Sequence, residues 1–135
     1  MKFPYLKFPT KDPREPWVAR PIIPVILETS NKPSVAIMAL VDSGADRCLF
    51  HADIGRDIGL KITDGMPHNF SGIEGGKVQT YLHKVSIQIV GDSHSVEVIA
   101  GFCESQGIGA ILGQEGFFDA FKITLHRSKD RIEIV

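Results

Sequence analysis

The residues Ala39-Leu40-Val41-Asp42-Ser43-Gly44-Ala45-Asp46 join an apolar run to an acid and a turn. The run begins at Met38 and predicts a buried strand, with Asp42 where that strand ends. Burial disfavours an ionised carboxylate, so an acid in this place needs a reason. Ser43 brings a hydroxyl able to bond neighbouring backbone, and Gly44 permits a tight turn with close backbone approach. A plain structural turn is the alternative, because Asp-Ser-Gly is also ordinary turn chemistry.

Two further segments bear on the choice. Ala110-Ile111-Leu112-Gly113 is a second apolar run ending in glycine. Between the two lies Ser71-Gly72-Ile73-Glu74-Gly75-Gly76, whose glycines predict a hairpin tip with exposed backbone donors. Each of the three segments, taken singly, suits a structural role.

Around them the chain reads as short strands. Ile22–Thr29 is apolar and β-branched, with Pro24 restricting it to an edge or a bulge. Asn31-Lys32-Pro33 is a turn, and a strand follows over Val35–Val41. Val78–Val90 and Val96–Phe102 are strands separated by the turn Gly91-Asp92-Ser93. Val85, Ile87 and Ile89 alternate with Ser86 and Gln88, which turns one face inward. Phe121–His126 and Arg131–Val135 flank Ser128-Lys129-Asp130 as a closing hairpin. Short helices fit Ala52–Ile58, capped by Gly59, and Glu115–Ala120. Many strands and little helix predict an all-β barrel or sandwich.

The 135 residues suit one domain. Residues 1–16 read as an N-terminal arm, since Pro4, Pro9, Pro13 and Pro16 oppose a regular helix there. Phe3, Tyr5, Leu6 and Phe8 give that arm apolar contacts. Residues 17–135 form the domain proper. A formal net charge of −1 leaves no electrostatic footprint for nucleic acid. No apolar run reaches the ~18 residues of a membrane span. Cys48 and Cys103 read as free thiols of a reducing compartment, and the expected location is cytoplasmic.

In this order and spacing the three segments resemble the retroviral-type, or retropepsin-like, aspartic proteases and their single-domain bacterial relatives. Leu40-Val41-Asp42-Ser43-Gly44-Ala45 matches the family's apolar-apolar-Asp-[Ser/Thr]-Gly-Ala segment. Ser71–Gly76 matches its glycine-rich flap, and Ile111-Leu112-Gly113 the apolar-apolar-Gly segment beside the active loop. The resemblance covers roughly residues 20–135. It implies a closed acid-protease-type β-barrel with one or two short helices, forming one half of a two-fold dimer.

It also implies a mechanism. Hydrolysis in this class uses two carboxylates that share one proton. One Asp-Ser-Gly per chain then requires a homodimer, with Asp42 facing Asp42 of a second copy. The resemblance assigns Asp42, Ser43 and Gly44 to the catalytic loop. Leu40, Asp46, Gly72, Ile73, Gly75 and Ile111 would contact a peptide or protein substrate. Leu40 and Ile111 serve equally well as core residues, and Asp46 as a turn cap. Glu74 departs from the family at the flap tip. Gln114 stands where a basic residue is common, and Arg47 is the cation available to pair with Asp46 instead.

The five histidines show no metal-ligand spacing, and no phosphate-binding loop follows a strand, so neither metal nor cofactor is expected. Two other functions remain compatible with the residues. One is a non-catalytic peptide-binding or scaffolding module on the same fold. The other is an unrelated β-barrel with a structural Asp-Ser-Gly turn.

Overall fold

The computed structural model describes residues 1–30, 32–71 and 76–135. Within these the strands are β1 (Lys2–Pro4), β2 (Leu6–Pro9), β3 (Trp17–Arg20), β4 (Ile22–Glu28), β5 (Ile37–Val41) and β6 (Leu49–His51). They continue as β7 (Met66–Ser71), β8 (Lys77–Ile89), β9 (Ser95–Cys103), β10 (Ala110–Leu112), β11 (Ile123–His126) and β12 (Arg131–Ile134). Two short helices, α1 (Ala52–Asp57) and α2 (Phe117–Ala120), interrupt them. No described helix is long and apolar enough to cross a membrane.

Six strands close into a barrel in the order β4-β5-β10-β6-β9-β8, with β8 returning to β4. Closure rests on the 13 residues of β8. One edge of β8 pairs with β9 over Tyr81–Gln88. The other edge pairs first with β7 and then, over Ser86–Ile89, with β4. One long strand thereby joins a projecting hairpin to the barrel wall.

The inward faces follow the two-residue period of a strand. On β4 these are Ile23, Val25 and Leu27, all fully buried. On β8 they are Val85, Ile87 and Ile89, again buried. Phe50, Phe102 and Phe117 fill the centre. Each such side chain contributes about 1.5–3 kcal/mol on leaving water.

Pro24 is not on an edge strand, because β4 pairs on both sides. Its carbonyl accepts from Val90 N at 3.0 Å, so its ring nitrogen also faces β8. The β4–β8 ladder begins only at Val25, opposite Ile89. The missing donor therefore falls just past the end of that ladder. β5 starts at Ile37 rather than Val35, because Ser34 N already donates to Leu27 O in the connecting turn.

Helix α1 starts where His51 Nδ1 accepts from Asp53 N at 3.0 Å. It stops in a Schellman motif: Leu60 N donates to Gly55 O and Gly59 N to Arg56 O, with Gly59 at φ 88°. Helix α2 begins at Phe117, two residues later than expected. Glu115 N is spent on Asp46 O, and Gly116 takes φ 89° under Val98, where a side chain would collide. The closing hairpin turns on Asp130 at φ 48°. Its strands extend a separate sheet, β1-β12-β11, and β2 and β3 pair as a two-stranded ribbon.

Candidate active site

Strand β5 ends on Val41, which is buried, and delivers Asp42 half-buried at the barrel's rim. Three backbone contacts fix the acid. Asp42 N donates to Leu112 O at 3.0 Å, and Ala45 N donates to Asp42 O at 3.2 Å. Gly44 N donates to the carboxylate itself, at Oδ1, over 2.9 Å. A Cβ on Gly44 would stand 3.3 Å from that oxygen, so glycine keeps the turn tight against the acid.

Strand β10 braces this loop from alongside. Ile111 is in parallel register with Leu40, and Leu112 with Val41. Beyond β10, Gly113 lies so close to the main chain of Arg47 and Ala45 that no side chain fits. Gly113 N donates to Cys48 Sγ at 3.5 Å, and burial pushes the Cys48 thiol pKa up. Gln114 N donates to Ala45 O and Glu115 N to Asp46 O, each at 2.8 Å. The Gln114 side chain adds a bond from Nε2 to Ser43 O at 2.7 Å. The main chain of Asp42, Ser43, Ala45 and Asp46 is thus gripped from outside the loop.

A cleft of about 310 Å³ opens over Asp42. Gly44, Ala45, Asp46, Arg47, Leu49, Phe70, Val78, Ile108 and Ile111 complete its lining. The cleft gathers four of the nine residues assigned above to catalysis or substrate contact: Asp42, Gly44, Asp46 and Ile111. Ser43 is exposed beside it and does not line it. Leu40 is half-buried next to Ile111, also outside the lining. Neither Leu40 nor Ile111 packs in the core cluster. Gly72, Ile73 and Gly75 lie outside the described residues, as does Glu74.

Arg47 does not pair with Asp46. Its guanidinium faces Glu115 at 3.4 Å, because the parallel bridge between residues 47 and 115 sets those side chains together. Leu49, Phe70, Val78 and Ile108 are cleft residues that the sequence does not announce. Phe70 and Val78 are register partners in the β7–β8 hairpin, which places that hairpin over the acid. Among the described residues no group of three or more His, Cys, Asp or Glu is arranged to hold a metal ion.

The chain's fold recurs in solved structures. The EIAV protease complexed with the inhibitor HBY-793 superposes with a TM-score of 0.53 at 19% identity, covering 78% of this chain and 88% of that one. A retropepsin-like aspartic protease from Rickettsia conorii superposes with a TM-score of 0.59 at 17% identity, covering 84% and 89%. The chain has the retropepsin-like fold. The expected acid-protease-type barrel is therefore the one observed. No protein-family model and no curated protein matches the sequence. Within the retropepsin-like fold of this chain, one Asp-Ser-Gly loop occurs, and the cleft described above opens over its acid.

Proposed function

We propose that this chain is one half of a homodimeric aspartic endopeptidase, with Asp42 as its catalytic carboxylate. The observation that carries the proposal is the placement of Asp42. It is held by Gly44 N, braced by Leu112 O, and open to a cleft. It stands on a fold shared with two aspartic proteases.

In the active dimer a two-fold axis brings the two Asp42 side chains together. Like charges that close cannot both ionise, so the pair holds one proton and titrates as a unit. The ionised member takes a proton from a water molecule. That water attacks the peptide carbonyl while the protonated member donates to its oxygen. Ser43, exposed beside the acid, joins the hydrogen bonding between the two loops. Ile111 receives apolar parts of the peptide with Leu40 backing it from the neighbouring strand, and the segment containing Gly72, Ile73 and Gly75 covers it. Residues 17–135 carry this machinery, and residues 1–16 are an arm whose β1 pairs with β12. The two buried, unbridged thiols suit the reducing cytoplasm.

The test is replacement of Asp42 with Asn, assayed on a peptide library across acidic to neutral pH. The expected result is loss of cleavage by at least ~10²-fold, with fold and dimer unchanged by circular dichroism and sedimentation. Normal cleavage by the variant would refute the assignment. Peptide binding by the unaltered protein without turnover at any pH would identify a non-catalytic binding module instead.

A further inference from the structure

The geometry points to Asp46 as a specificity-determining residue that selects substrates carrying a basic side chain beside the bond to be cut. This inference rests on the reading that the cleft over Asp42 takes an extended peptide. Asp46 is exposed on the cleft's rim, and among the described residues no cation pairs with it. The nearest base in sequence, Arg47, is occupied by Glu115 at 3.4 Å. Gln114 is neutral, and its amide is spent on Ser43 O. The cleft lining holds two acids, Asp42 and Asp46, against the single base Arg47, which is already neutralised.

The rest of the lining sharpens the choice. Leu49, Ile108 and Ile111 are apolar and line the same cleft as Asp46. A lysine or arginine side chain is apolar along its stem and charged at its tip. Such a side chain can lay its stem on those three residues and set its cation against Asp46. An aliphatic residue gains only the first contact, and an acidic one meets repulsion.

The test compares peptides that differ at one position, lysine against norleucine, which keeps the stem and lacks the charge. Binding is read by fluorescence anisotropy on the Asp42→Asn protein, so that no peptide is consumed. At one position the lysine peptide is expected to bind about five-fold more tightly at low salt. Raising the salt should shrink that advantage. Adding Asp46→Asn should bring the ratio to one, and Asp46→Lys should turn it toward a glutamate peptide. Equal binding of lysine and norleucine peptides at every position overturns the inference. So does a ratio that Asp46→Asn leaves unchanged, or an Asp46→Asn loss shared equally by both peptides, which would mark Asp46 as a holder of peptide backbone. Cleavage by the unaltered protein, run in parallel, reports separately on the protease proposal. A lysine preference without turnover keeps the inference and removes the protease, whereas turnover without preference does the reverse.

Discussion

The side-chain amide of Gln114 donates to the main-chain carbonyl of Ser43, tying the segment after β10 to the loop that carries Asp42. That bond is one of three by which residues 114 and 115 hold residues 43–46. Gln114 is exposed, so its removal leaves no cavity. Gln114→Ala is expected to cost no more than about 1.5 kcal/mol of stability and to lower kcat several-fold with KM little changed. Gln114→Glu, which sets an acceptor against an acceptor, should lower kcat further. Steady-state kinetics and thermal melting of both variants check this.

Gly113 admits no substitution without moving backbone. A Cβ there would press on the carbonyl of Arg47 and stand 2.8 Å from that of Ala45. Main-chain atoms held in hydrogen bonds cannot swing aside as a side chain tip can. Gly113→Ala should destabilise by about 3 kcal/mol, measured by urea denaturation. A loss under ~0.5 kcal/mol would contradict the packing described here.

Under the two-copy mechanism, activity must depend on concentration. Specific activity is expected to fall on dilution below the dimer's dissociation constant. Mixing equal amounts of unaltered and Asp42→Asn chains leaves about a quarter of the dimers with both acids, which halves activity per unaltered chain. Activity strictly proportional to the unaltered chain, at every dilution and ratio after subunit exchange, would count against shared catalysis.

The buried thiols set a direction for stability at alkaline pH. Burial raises the pKa of both Cys48 and Cys103 above the ordinary 9.0. The unfolded chain thus ionises these thiols first. Their contribution is fully present below that ordinary value and is lost as pH rises through the folded one. Denaturation free energies from pH 8 to pH 10.5 should fall more steeply for the unaltered protein than for Cys48→Ala. Parallel curves would refute the assignment to Cys48.

The long strands are legible in the sequence because alternation has room to repeat. Val85, Ile87 and Ile89 are buried where Ser86 and Gln88 are half-exposed. The three-residue strands β6 and β10 are too short to show a period. Strand β7, Met66–Ser71, carries Pro67 and no β-branched residue, so its pairing comes from β8 rather than from its own propensity. Pro24 misleads for a related reason: whether a missing donor matters depends on where a neighbouring ladder ends. At the site, Asp42 is legible because its apolar lead-in is local. Leu49, Phe70, Val78 and Ile108 come from four separate stretches that meet only once the barrel closes. The Arg47–Glu115 pair likewise follows from a bridge between distant residues, which no neighbouring sequence records.

Strand β12 lies between β1 and β11, both from its own chain. Its amides and carbonyls are consequently satisfied on either side before any second molecule arrives. A partner copy has no vacancy to fill there unless a resident neighbour is evicted. If the proposed dimer forms, it would then be a meeting of finished bodies, and abundance itself would act as the throttle on the proposed cleavage.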